Sequence, residues 1–162
     1  MFGCSEDVKT NREQQSGKYS FLVADIVVLP APSETSPYYS RIHCDTHISN
    51  LHENKYQYLD FTFPQGNSFA GSVNNSNAFN EAANDLPVIA RNQLDNGVSQ
   101  NLWYERVVPH KAIFLTGIIY PDGDSAFIEF DKYLTGNLVQ VGANATVGYG
   151  LCKFTNITPT VK

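Results

Sequence analysis

The sequence predicts an α+β fold. Three observations point there: β-branched apolar runs bounded by glycine and proline, an Asn-Gly dipeptide between two strand-like runs, and a stretch near the C-terminal end with apolar residues at helical spacing. At 162 residues the chain is long enough to bury a core without disulfides or metals, so a single domain over 1–162 is expected.

The first run, SGKYSFLVADIVVLPAPS (16–33), is entered through Gly17 and closed by Pro30 and Pro32, which predicts a buried strand. Residues 34–55 show no sustained period and read as a long excursion, the start of an irregular insertion over 34–80. YQYLDFTFP (56–64) carries strand-forming aromatics up to Pro64, and an Asn/Ser/Gly-rich loop (65–77) leads into NAFNEAANDL, a short helix ending before Pro87.

LPVIARN and NLWYERVVP flank QLDNGVSQ, and Asn96-Gly97 predicts a protruding hairpin over 88–104, within a segment spanning 86–108. KAIFLTGIIY (111–120) is a further apolar strand closed by the turn PDGD. SAFIEFDKYLTG (125–136) places Phe127, Phe130 and Leu134 at helical spacing, with Ser125 as N-cap and Gly136 as stop. NLVQV, a glycine loop and YGLCKFTNI complete the order strand, helix, strand, loop, strand.

Aromatic residues make up 12%, hydrophobic residues 42% and charged residues 17%, the balance of an ordered, strand-rich protein. Lys+Arg 11 against Asp+Glu 16 gives a formal charge of -5, which excludes nucleic-acid binding by bulk electrostatics. An RNA site must then be local. Cys4, Cys44 and Cys152 make no disulfide framework and no CxxC pair, so a reducing cytoplasm is the expected compartment. No stretch approaches a membrane span, and no membrane partner is expected. The three Asn-x-Ser/Thr sequons carry no weight without a signal peptide.

The loop QVGANATVGYG (140–150) lacks the Lys-Ser/Thr pair of a P-loop and starts no helix, so it is neither a P-loop nor a dinucleotide fingerprint. Two readings stay open. It is a structural turn between strands, or its glycines bring the backbone close to a partner, with the amides of Ala143, Asn144 and Ala145 forming an anion-binding concavity. Asn144, Thr146 and Tyr149 offer neutral donors and a stacking face, suited to a sugar-phosphate chain.

Trp103 and Tyr104 are adjacent and face opposite sides of a strand, so either one is available to a base or both are buried. Arg91, Arg106, Lys111 and Lys153 are phosphate-contact candidates or solvated surface. His43, Cys44, His47 and His52, with Asp45, are zinc-ligand types, but their spacing fits no standard finger; they mark a metal site or a polar loop with incidental histidines. His110 has no identifiable partner and is read as structural.

LPVIARNQLDNGVSQNLWYERVVPHKAIFLTGI followed by VQVGANATVGYGLCKF resembles the backbone subunit of type III-B CRISPR effector complexes, a member of the RAMP superfamily. Gln140, Gly142, Thr146, Gly148 and Gly150 match the family's glycine-rich loop, and Leu102, Trp103, Tyr104, Glu105 and Pro109 its Leu-Trp-Tyr-Glu strand entry. Arg106 stands where an acid is commoner. FGCSEDVKT and GKYSFLVADIVVLPAPS also resemble a family segment in which Phe-Gly precedes a strand ending in Pro. The likeness is loose over 34–80 and specific over 86–154.

The resemblance implies a ferredoxin-like (RRM-like) RAMP fold, incomplete at the N-terminus, with a thumb hairpin inserted at 86–108 and a C-terminal ferredoxin half over 111–156. It implies a guide RNA and a target RNA as partners, with copies of the same chain and other effector subunits. RNA contacts are expected at Gly142, Asn144, Thr146, Gly148, Tyr149, Gly150, Arg91, Trp103, Arg106 and Lys153. The family cuts target RNA with a divalent metal, through an Asp in an N-terminal loop that has no counterpart here. No catalytic residue is therefore transferred to Asp25, Asp45 or Asp95, and a separate chain supplying the N-terminal piece is a further expected partner. The alternative is a β-rich binding or assembly module that shares the fold without RNA.

Overall fold

The computed structural model describes residues 17–34, 39–60, 71–142, 144–157 and 160–161. In chain order the elements are β1 (Ser20–Phe21), β2 (Asp25–Ala31), β3 (Ser40–His43), α1 (Asp45–Lys55), β4 (Leu59–Asp60), β5 (Val73–Asn74), α2 (Ser76–Asn84), β6 (Val88–Asp95), β7 (Val98–Arg106), β8 (Ile113–Leu115), β9 (Ile118–Ile119), α3 (Ser125–Gly136), β10 (Leu138–Gln140), β11 (Leu151–Lys153) and β12 (Thr160–Val161), with a 3-10 turn at Ala145–Val147. The fold is mixed α+β. Among the described residues no helix is long and apolar enough to cross a membrane.

The chain forms two compact units, Met1–Ala24 with Thr116–Thr158 and Asp25–Leu115 with Pro159–Lys162. The division runs through both long apolar runs. The first, expected as one strand, separates into β1 and β2, and the second into β8 and β9. Between β1 and β9 the backbone closes with Leu22 N–H donating to Gly117 O at 2.9 Å, and the Thr116 hydroxyl donates to the Leu22 carbonyl oxygen at 2.8 Å. Pro30 does not end β2 but lies within it, paired with Arg41.

The unit built on Asp25–Leu115 holds a four-stranded sheet in the order β5-β3-β2-β8. β2 pairs antiparallel with β3 and β8, while β3 and β5 are parallel. Parallel neighbours need a long crossover, and α1 lies in it. A split βαβ of ferredoxin type places another strand between its parallel pair; here β3 and β5 are direct neighbours.

The core follows from β2. The register of β2 on β8 shifts between Ile26 and Val28, a bulge that turns Val27 and Val28 to the same side. Val27 and Val28 pack with Ile48 and Leu51 of α1 and with Ile113 and Leu115. Ile26 and Leu29 join Ile42, Cys44 and Phe79, against the alanines of α2. Leu29, at 0% exposure, is the largest of the fully buried side chains.

The excursion expected over 34–55 contains β3 and α1. The helix carries little apolar periodicity and starts on an unusual cap: the Cys44 sulfur accepts the His47 amide at 3.4 Å. α2 starts one residue earlier than expected, capped by Asn75, whose side chain accepts the Ala78 amide at 3.0 Å. Of the strand expected over 56–64, β4 is described and pairs with β12; residues 61–64 lie outside the described residues.

The hairpin forms as expected, slightly longer at its base. Asn96 and Gly97 have φ of 49° and 81°, the pair of positive values that a type I′ turn requires.

In the other unit β1 pairs with β9 and β10 with β11, both antiparallel. α3 occupies Ser125–Gly136, but its N-cap is Asp124, whose carboxylate accepts the Ala126 amide at 3.0 Å, in place of Ser125. Gly136 is the last helical residue and Asn137 follows as C-cap. Leu134 is buried, and Phe127 stacks on Tyr120 and meets the buried Tyr19 edge-on.

Candidate functional site

The expected RNA-contact residues fall into two groups, one in each unit. Gly142, Asn144, Thr146, Gly148, Tyr149, Gly150 and Lys153 belong to the β10–β11 hairpin and its loop; Arg91, Trp103 and Arg106 belong to β6–β7.

The loop joins antiparallel neighbours and closes on itself. The Val141 amide donates to the Gly150 carbonyl at 2.9 Å, extending the ladder past β10. Asn144 takes a left-handed conformation, φ 65°, and starts the 3-10 turn. Its carbonyl accepts the amides of Val147 and Tyr149 at 3.1 and 3.3 Å, and Ala145 O accepts Gly148 N–H at 3.0 Å. Those three amides point into the loop and offer nothing to an outside anion. Of the three amides expected to form a concavity, Ala143 lies outside the described residues. Asn144, Thr146, Tyr149 and Lys153 are exposed.

The hairpin has two chemically different faces. Residues directly opposite share a face, so Arg91 with Trp103 and Ile89 with Glu105 lie on one side, and Ala90 with Tyr104 and Val88 with Arg106 on the other. On the first face one carboxylate joins two of the expected contact residues. Glu105 Oε1 accepts the Trp103 indole N–H at 2.9 Å, and Oε2 accepts Arg91 Nε at 2.6 Å. These bonds, the indole's first and the guanidinium's second, hold the Glu105 carboxyl below its ordinary value, against a smaller opposing push from burial. Arg91 thus forms an ion pair within the hairpin rather than extending as a solvated cation. On the second face Arg106 is exposed, with Nη1 3.5 Å from the Asn84 carbonyl oxygen.

Sequence reasoning read Glu105 only as part of a motif and missed it as the group that organises Arg91 and Trp103. The signal was an acid two residues from the chain's one tryptophan on a strand.

The His/Cys cluster does not converge on a metal. His43 Nδ1 and the Ser72 hydroxyl lie 2.8 Å apart, and His43 Nε2 is 3.0 Å from Asp45 Oδ1. Asn74 donates to the other Asp45 oxygen at 2.6 Å. His47 Nε2 is 3.1 Å from the Ile26 carbonyl oxygen, and Cys44 caps α1 and contacts the Ser76 hydroxyl at 3.4 Å. These groups tie the start of α1 to β5 and α2. Among the described residues no three His, Cys, Asp or Glu side chains are grouped to hold a metal ion. His52 lines a cleft of about 280 Å³ with Val27, Ile48, Leu51 and Leu115, and none of the expected contact residues is among its lining.

No family model, no curated protein and no solved structure matches the chain.

Proposed function

We propose that the chain is a guide-RNA-binding backbone subunit of a type III-B CRISPR ribonucleoprotein, acting in antiviral defence in the cytoplasm. The β6–β7 ribbon carries this reading: it presents Tyr104 and Arg106 on one exposed face, an aromatic ring and a cation of the kind that takes a base and its phosphate. The exposed Lys153 and the polar side chains of the glycine loop add a second set of contacts. The finer reading of the α+β fold as a ferredoxin-like RAMP domain, with β6–β7 as its thumb, belongs to the same proposal, as do target RNA, copies of this chain and other effector subunits as partners. The family's target cleavage uses a divalent metal. The residues described here do not form a site for one, and no cleavage step is assigned to them.

A second reading, an assembly module without RNA, is favoured by one observation: the same ribbon exposes Val88, Leu94, Val98 and Leu102, while the Arg91 charge is paired with Glu105. Anisotropy of a labelled single-stranded RNA separates the two. Affinity that falls steeply with salt, and drops further in Arg106→Ala and Lys153→Ala, supports RNA binding; no binding at low salt supports the assembly module.

A further inference from the structure

We infer that Glu105 is a positioning residue that fixes Arg91 and Trp103 on one face of β6–β7, and that Tyr104, on the opposite face, is the ring that stacks on a base of single-stranded RNA. This rests on the RNA-binding reading above.

Both carboxylate oxygens of Glu105 are engaged, one by the indole N–H at 2.9 Å and the other by Arg91 Nε at 2.6 Å. The aromatic ring and the cation that the sequence offers first are thereby committed to the hairpin itself. Trp103 is 38% exposed, with its polar edge turned to Glu105; Tyr104 is 68% exposed, with Leu102 at 53% on the same face. Arg106 lies two residues along that face. A ring beside a cation matches a base beside its phosphate, whereas a purely apolar partner would leave the guanidinium without an ionic partner in the contact. Stacking also suits an acidic chain: it adds affinity without adding positive charge. Glu105 acts through order. With Trp103 and Arg91 locked, the ribbon keeps one face for its own packing and one for the ligand.

The test uses the full chain, a fluorescein-labelled single-stranded oligouridine and low salt. Tyr104→Ala is expected to weaken binding roughly tenfold, and Tyr104→Phe, which keeps the ring, to restore it. Trp103 is the chain's one tryptophan, so its emission reads the clamp directly. Glu105→Ala is expected to make the indole more accessible to acrylamide and to lower affinity, while Glu105→Gln, which keeps an acceptor for the indole N–H, limits both changes. A wild type that binds RNA with Tyr104→Ala binding equally well overturns the inference and leaves the RNA reading standing. A wild type that does not bind RNA overturns both. A Tyr104→Ala variant that changes sedimentation but not RNA affinity assigns the face to a second copy and overturns the inference.

Discussion

A β-carbon placed on Gly150 would lie 2.0 Å from the carbonyl oxygen of Val141. The two residues are joined by the Val141 N–H to Gly150 O hydrogen bond that closes the glycine loop, so the backbones cannot separate without opening it. Gly148 differs: its φ is 81°, but among the described residues nothing lies within 4 Å of the added carbon. Gly148→Ala is therefore expected to cost only the left-handed strain, about 1 kcal/mol. Gly150→Ala carries that strain and the overlap, and is expected to cost about 3 kcal/mol or more. Urea unfolding of the two variants checks the order. Equal costs would mean that the loop relaxes freely around Gly150.

Leu29 is fully buried in the cluster with Ile42, Cys44 and Phe79. Leu29→Ala is expected to destabilise by about 2–5 kcal/mol through lost burial and the cavity left behind. Leu138, 61% exposed on β10, is the control, with Leu138→Ala expected within about 0.5 kcal/mol. Thermal and urea denaturation measure both.

Asp124 serves two partners, capping α3 through the Ala126 amide at 3.0 Å and accepting the Tyr19 hydroxyl at 3.2 Å. Asp124→Ala removes both and is expected to cost about 1–2 kcal/mol; Asp124→Asn keeps a side-chain oxygen for the cap and is expected to cost less. Faster hydrogen exchange confined to the first turn of α3 is the local signature.

The Glu105 clamp predicts a pH window. Its folded carboxyl titrates below the ordinary value, so the clamp's contribution is complete above about pH 4.3, the ordinary glutamate range, and is lost as pH falls through the lower folded value. Trp103 emission is expected to hold steady from neutrality to about pH 5 and to change only in stronger acid. Glu105→Gln removes that titration; a transition that survives in the variant belongs to another group.

Local structure was legible where local chemistry dominates. Asn96-Gly97 predicts its hairpin because few residue pairs accept two positive φ values, and Phe127, Phe130 and Leu134 predict α3 because they repeat at the helical period. α1 was not legible: its apolar contacts come from Ile48 and Leu51 alone, and its cap is a cysteine. Nor was the break of the two long apolar runs into β1 and β2, and β8 and β9, because β-branched runs read as continuous strands whatever lies across from them.

The sequence by itself determined the α+β class, the hairpin and its turn, the terminal helix, and the strand-to-strand setting of the glycine loop. Tertiary structure decided the division into two units and which faces of the hairpin carry Arg91, Trp103 and Tyr104. Counting back from the turn pair Asp95 and Val98 sets Arg91 opposite Leu102; the register shift between Gln93 and Leu94 sets it opposite Trp103 instead. One residue of slip exchanges the faces of a strand. That shift, and no local propensity, brings Arg91 and Trp103 together on Glu105 and leaves Tyr104 facing outward.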